Sequence, residues 1–266
     1  MLVYVVEQST KAFNELGRTM FLPSTEWRPV SNHPKFGLLP AITGTLYVSF
    51  LAVILALIFG IGCAFFINFY LPNFLAKLAL SFIDLVAGIP SVIFGFIGLT
   101  LLVKKFAATF HMAAGQCILV AGIVLGIMLL PFVISTCSES ILLARKNYEM
   151  SALALGFSKE KVMVSVILPA ISHGMVASAM MAFGRGLGET MAVMMVIGNS
   201  AVFPKLFGRG QTIASLTALE MGSIEYGSLH LSALYVANLI LLVILAIVLG
   251  IGTILKRRMV EDEIHH

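Results

Sequence analysis

Charged side chains are scarce in this chain of 266 residues, where they make up 11% of the total. A soluble domain has about 25% charged residues, and 59% of the residues here are hydrophobic. This balance excludes an ordinary soluble protein and indicates an integral membrane protein. The net charge of +4 does not indicate a nucleic-acid surface, because the basic residues lie between the apolar runs.

Cysteine is also rare. Cys63, Cys117 and Cys137 each lie in an apolar run, without a CxxC pair or a histidine partner nearby. This pattern argues against a zinc site or a disulfide framework, and we predict three small buried hydrophobic residues. The chain also lacks the glycine-rich Walker A loop that holds nucleotide phosphates. We therefore expect no catalytic residue and no metal site in it.

Long stretches contain no Asp, Glu, Lys or Arg at all. A helix needs about 20 apolar residues to cross a bilayer, whereas the strands of a membrane barrel alternate over about ten residues. The runs here are continuous in Leu, Ile, Val, Ala and Met, and they predict an all-α membrane protein. We expect five spanning helices, at 42–70, 76–103, 115–137, 168–199 and 229–255.

The basic residues predict the orientation of these helices. If residue 42 lies outside, eight basic residues fall in the cytoplasm and four in the external loops after residue 42, which agrees with the positive-inside rule. Residues 1–41 then contain the end of an incomplete N-terminal helix and an exposed external loop. Residues 42–256 form the transmembrane domain, with a cytoplasmic loop at 145–167, and 257–266 form a cytoplasmic tail.

The second predicted helix is interrupted by the sequence GIPS. Proline removes a backbone donor and glycine loosens the turn, so we expect a break at Gly88, Pro90 and Ser91. Such a break either lines a cavity or is a plain structural kink, and the residues alone leave both possibilities open.

Arg185 and Glu189 are full charges inside the apolar stretch MAFGRGLGETMAVMMVIGN. A charge at a helix centre costs about 2.5–3.5 kcal/mol on insertion scales and faces a bundle interior or a wet cavity. Because their positions are four residues apart, the two share a helix face and form an internal ion pair. Alternatively, the guanidinium of Arg185 binds a tetrahedral oxyanion on a translocation path, and Glu189 moderates the attraction. Thr190 and Asn199 are further polar candidates for that path.

The cytoplasmic loop predicts an elbow of two short helices. Tyr148–Leu155 consists of good helix formers, Gly156 permits a positive φ, and Ser158 is suited to cap the second helix. Nine residues separate Gly156 from Val166, which is followed by Ile167, Leu168 and Pro169.

This spacing resembles the EAA loop of ABC importer permeases, the loop that docks on the cytoplasmic ATPase in that family. Met150 stands where the family has glutamate, and Glu149 lies one residue earlier. The resemblance implies that the coupling residues are Glu149, Gly156, Leu168 and Pro169.

The stretch GRGLGETMAVMMVIGN resembles the signature of the phosphate-specific (Pst-type) permeases, and GETMAV is closest to their PstC subunit. Gly37–Ala52, Ala87–Leu99 and Gly227–Ile244 resemble the same family, so the resemblance extends over 37–258. It implies a type I ABC importer permease fold (MetI-like), which usually has six helices. It also implies a multi-pass inner-membrane subunit with its substrate path at Arg185.

The same resemblance implies the partners of the chain. These are a second permease subunit (PstA-like), two ATPase subunits (PstB-like) and an extracytoplasmic phosphate-binding protein (PstS-like). The ATPases bind ATP and Mg, and no cofactor is expected in this chain, which is not itself an enzyme.

Three alternatives remain at this stage. Sulfate and molybdate permeases share the Arg-x-x-Gly-Glu core, so that core alone indicates only an oxyanion. An ion-coupled secondary transporter or channel would use Arg185 and Glu189 as a gate or a proton relay. In a non-transporting structural or sensor subunit, the substitution Arg185→Ala would leave flux intact.

Overall fold

The computed structural model describes residues 2–22 and 26–264, and describes side chains at all of these except 2, 223 and 256–264. The side chains of the predicted cytoplasmic tail, 257–266, therefore lie outside the described residues. Within the described residues the helices are α1 (Leu2–Leu16), α2 (Leu39–Tyr70), α3 (Asn73–Ala87), α4 (Ser91–Thr109), α5 (Ile118–Ala154), α6 (Lys159–Ala170), α7 (Ser172–Gly188), α8 (Met191–Ile197), α9 (Ile213–Glu220) and α10 (Leu229–Ile264).

Four of the described helices are long and apolar enough to cross a membrane: α2, α4, α5 and the Leu229–Leu255 part of α10. The pair α6 and α7 would be a fifth span, bent by 59°. The prediction of a helical membrane protein with about five spans is therefore confirmed. One helix, α5, continues through Pro131 without a break.

In the span predicted at 76–103, α3 ends at Ala87 and α4 begins at Ser91, which is where the sequence leads us to expect a break, at Gly88, Pro90 and Ser91. The boundaries of two other predicted spans are wrong. The helix predicted at 168–199 is interrupted at Ile171 and again after Gly188. The helix predicted at 115–137 continues to Ala154. Apolar runs mark the depth of the membrane, whereas helices end where backbone propensity and capping end them.

Most described residues of 17–22 and 26–38 are exposed, but four apolar residues attach this segment to the core, which its polar composition does not predict. Two short strands, β1 (Trp27–Arg28) and β2 (Lys35–Phe36), pair antiparallel with Trp27 opposite Phe36. Met20, Trp27, Phe36 and Leu38 are buried. They pack in one cluster with residues of α9 and α10, namely Ile213, Leu216, Ala233, Leu234, Val236 and Ala237.

The contacts divide the chain into two compact units. The first unit consists of Met1–Leu51, Pro90–Leu125 and Arg185–Ile247, and the second of Ala52–Ile89, Gly126–Gly184 and Val248–His266.

Within the first unit, α4 packs closely against α8 because glycines face the contact. A Cβ atom on Gly95 would lie 2.8 Å from the Cα of Ala192, and one on Gly98 would lie 3.1 Å from a methyl carbon of Val196. Small residues allow membrane helices to approach in this way, and the approach increases their van der Waals contact. This packing positions α8 and therefore also Glu189 and Thr190, which directly precede it.

Within the second unit, α2 packs against α5 in a similar manner. A Cβ atom on Gly60 would lie 2.7 Å from Val133, and one on Gly126 would lie 3.2 Å from the carbonyl oxygen of Ala52.

Cys117 and Cys137 are buried as predicted, but Cys63 on α2 is exposed. One face of a spanning helix contacts lipid or another subunit, so an apolar residue there is not covered by its own chain.

Candidate functional site

The chain leaves α7 at a glycine-rich turn. Gly184, Gly186 and Gly188 close the helix, and each glycine costs about 1 kcal/mol of helix stability relative to alanine. The amide of Glu189 donates to the carbonyl oxygen of Gly186 at 3.3 Å, and α8 then begins at Met191. The break falls between the two charges of the sequence motif.

Glu189 caps the start of α8. Its Oε1 accepts a hydrogen bond from the backbone amide of Ala192 at 3.2 Å, one of the first amides of the helix, which have no partner within the helix itself. The prediction that Arg185 and Glu189 share one continuous helix face is wrong, because α7 ends at Gly188. The carboxylate is positioned by the backbone that follows it.

Arg185 lies in the last turn of α7, where a cation interacts favourably with the helix dipole. Its side chain is exposed on the surface of this chain. An arginine within a spanning segment faces a bundle interior, a water-filled cavity or a partner protein rather than lipid. The position of Arg185, exposed in the last turn of α7, is consistent with that rule.

An open cleft of about 360 Å³ lies beside the break, within the first unit. Gly188 and Thr190 form one side of it, and the remaining lining residues are Ala214, Thr217, Ala218, Met221, Asn238 and Leu241. None of these is charged. Of the predicted path residues, Thr190 is in this lining, and Arg185, Glu189 and Asn199 are not.

Thr217 and Asn238 were missed by the sequence reasoning. The Nδ2 of Asn238 donates to Thr217 Oγ1 at 3.0 Å and to the carbonyl oxygen of Leu234 at 2.9 Å. The Thr217 hydroxyl donates to the carbonyl oxygen of Ile213 at 3.0 Å. An isolated asparagine in the run YVANLILLVILAI was the available signal, because a polar residue in such a run costs free energy unless it has a partner.

Asn199 ends α8. Gly198 and Asn199 both have positive φ, +91° and +44°, and the Asn199 Nδ2 donates to the carbonyl oxygen of Met194 at 2.7 Å. Asparagine tolerates the left-handed region better than other residues with a side chain. The side-chain amide of Asn199 therefore provides a donor for one of the last carbonyl oxygens of α8.

A sequence profile described as the inner membrane component of binding-protein-dependent transport systems matches residues 56–261. The chain belongs to this family of permeases. It is 35% identical over 203 residues to the probable ABC transporter permease protein YqgH of Bacillus subtilis, which covers 76% of this chain and 66% of that one.

A second relative matches over a longer stretch. The permease is 34% identical over 276 residues to the probable phosphate transport system permease protein PstC of Methanocaldococcus jannaschii, covering 96% of this chain and 86% of that one. The fold of this chain is similar to that of an inward-facing MetNI methionine ABC transporter, with a TM-score of 0.65 at 14% sequence identity. The match covers 83% of this chain and 95% of that one. The MetI-like fold is confirmed.

Family membership places the permease in the inner membrane, as the sequence predicted. It also makes the chain the membrane subunit of an ABC system, which works with an ATPase and a binding protein. An ion-coupled secondary transporter is thereby set aside.

The turn of the elbow has the local geometry that its sequence predicts. Gly156 has a φ of +83°, and the Ser158 side chain accepts from the backbone amide of Lys161 at 3.3 Å. The first helix of the elbow is not a separate short helix, because it is the end of α5, which begins at Ile118. Leu168 and Pro169 lie in the last turn of α6, just before the bend.

The residues around the elbow differ in exposure. Met150 and Leu155 are apolar residues before and after the last turn of α5, and each is 78% exposed. Glu149 instead forms an ion pair with Arg145 of the same helix, at 2.7 Å. Met150 and Leu155 are therefore more accessible to a partner than Glu149 is.

Proposed function

We propose that this permease is the PstC-type subunit of an ATP-driven phosphate importer. The observation that carries the proposal is the similarity over 96% of the chain to a relative named as a phosphate transport system permease. The proposed partners are a PstA-like permease subunit, two PstB-like ATPases and a PstS-like binding protein.

The proposed path runs past Arg185. A guanidinium offers a planar fork of donors that suits a tetrahedral oxyanion, and the side chain is exposed. The neighbouring cleft has only neutral side chains in its lining. A transported ion has to be bound weakly enough to leave, and a cleft with a neutral lining at the break that follows Arg185 meets that requirement. Thr190 would provide a hydroxyl contact at the rim.

The proposed coupling acts through the elbow. Closure of the ATPases on the exposed apolar surface at Met150 and Leu155 would push on α5 and α6. The turn at Gly156 and the bend after Pro169 would transmit this force to α7, which carries Arg185 at its end.

The test is phosphate uptake into proteoliposomes that contain the permease with its partner subunits. We expect uptake that requires ATP and that neither sulfate nor molybdate inhibits at equal concentration. Strong inhibition by either anion would reassign the permease to that anion, and uptake independent of ATP would contradict the proposal altogether.

A further inference from the structure

Arg145 lies in α5 just before Tyr148, where the elbow begins, and binds three different groups. Its Nε donates to Glu149 Oε2 at 2.7 Å and its Nη2 donates to Glu149 Oε1 at 3.0 Å. Its Nη1 donates to the backbone carbonyl oxygen of Asn68. The guanidinium also lies 4.6 Å from the centroid of the Phe69 ring. The first contact is within α5, whereas the other two are with the last turn of α2.

The carbonyl oxygen of Asn68 is one that α2 itself leaves without a partner. A helix ending at Tyr70 has no amide available for its last four carbonyl oxygens, and a cation there is favoured by the helix dipole. Arg145 supplies both the donor and the charge. Its side chain and that of Glu149 are only 25% and 18% exposed, so water screens these contacts weakly.

A second contact joins the same two helices one heptad earlier along α5. The buried Asn68 side chain donates to Ser138 Oγ at 3.0 Å and to the carbonyl oxygen of Ala64 at 2.7 Å. Asn68 is therefore held by α5 through both its side chain and its backbone. Rotation of the end of α2 on α5 would therefore require both of these contacts to break.

We propose that Arg145 is a positioning residue that joins the elbow to the end of α2, so that force applied at the elbow moves both helices together. The inference rests on the proposed function, in which the elbow receives the force of the ATPases. Glu149 lies one residue before the glutamate position of the EAA pattern, and its carboxylate binds Arg145 and so helps to orient it. Lysine cannot replace Arg145, because an ammonium group has no planar fork and stacks poorly on an aromatic ring.

The first experiment measures ATP hydrolysis and phosphate uptake of the complete transporter in proteoliposomes. We expect Arg145→Gln to retain ATP hydrolysis while uptake per ATP falls about three- to tenfold, the range in which residues on a coupling network act. Arg145→Lys should show most of the same loss, and Glu149→Gln a smaller one. The matched control is Lys146→Gln, which removes a neighbouring exposed charge and should change neither quantity.

Parallel loss of hydrolysis and uptake in Arg145→Gln would overturn the inference, because it would indicate failed assembly rather than failed coupling. Unchanged uptake per ATP would overturn it as well.

The second experiment needs no substrate. Spin labels are attached at Tyr70 and Asn147, both exposed, after Cys63 is replaced by serine. In the unsubstituted protein, the distance between the labels should be the same in the nucleotide-free and the vanadate-trapped complex. In Arg145→Gln, the mean distance should differ between the two complexes, or the distribution of distances should be broader. A distance that changes in the unsubstituted protein, or that stays constant in the variant, would refute the junction. A constant distance in a complex that fails to import phosphate would refute only the proposed function.

Discussion

Glu189 and Asn199 bind backbone atoms at opposite ends of α8. The carboxylate of Glu189 accepts from the amide of Ala192, and the amide of Asn199 donates to the carbonyl oxygen of Met194. In a membrane an unsatisfied backbone group costs several kcal/mol, so these side chains first stabilise a helix of seven residues. Arg185 is the exposed charge in the last turn of α7.

The first prediction concerns Arg185. We expect Arg185→Gln to reduce ATP-dependent phosphate uptake about tenfold or more, since a hydrogen bond to a charged group contributes about 1.5–3 kcal/mol. The complex should still assemble, because the side chain is exposed. The measurement is initial uptake rate in proteoliposomes, with Lys205→Gln as the control for loss of an exposed charge. Normal uptake in the arginine variant would return Arg185 to a structural role.

At the scale of elements, the position of the break depends on the packing of α4 and α8. Gly95 of α4 contacts the backbone of Ala192, the same residue whose amide Glu189 caps. The start of α8 is therefore held by a side chain on one side and by a neighbouring helix on another. We infer that this double constraint maintains the break in a segment whose apolar residues otherwise favour a continuous helix.

The second prediction tests this packing with a matched pair of substitutions. Gly95→Ala should lower the free energy of unfolding by about 1–3 kcal/mol, because the new methyl group meets backbone that cannot easily move. Gly62→Ala in α2 has no atom within 4 Å of the new Cβ and should be neutral, or stabilising by about 1 kcal/mol. Thermal unfolding of the purified complex in detergent measures both. Equal effects of the two substitutions would contradict the close approach of α4 and α8.

At the scale of the whole molecule, residues before α2 belong to a core that includes residues of α9 and α10. Trp27 lies in contact with distant residues: its Nε1 donates to Glu220 at 2.8 Å, and its ring lies 5.8 Å from that of His230. His230 lies 2.6 Å from the other oxygen of Glu220. Residues almost 200 positions apart in sequence therefore form one polar cluster beside an apolar one.

The third prediction uses the fact that Trp27 is the only tryptophan of the chain. Because it is 7% exposed, its fluorescence in the purified subunit should be blue-shifted relative to free tryptophan and poorly quenched by acrylamide. Denaturation should shift it to the red. Emission from Trp27→Phe serves as the blank. A red-shifted, readily quenched native spectrum would show that 17–41 is the exposed loop of the sequence-based prediction.

The sequence by itself determined the class of the molecule and its local turns. Spanning helices follow from runs without charge, because the bilayer excludes charge over a fixed depth. The positive φ of Gly156 and the cap by Ser158 also follow from the sequence. In each case the interacting groups lie within four residues of one another, so the pattern of neighbours contains the necessary information.

Only the tertiary structure decided the burial of Trp27, the cleft side chains Thr217 and Asn238, and the contact of Arg145 with Asn68, 77 positions away. It also ended α7 between Arg185 and Glu189 and began α8 at Met191. The physical reason is that these features depend on which helices approach one another and how closely. A hydrophobic run indicates that a helix is buried in lipid or in protein, but it does not indicate which neighbouring helix packs against it.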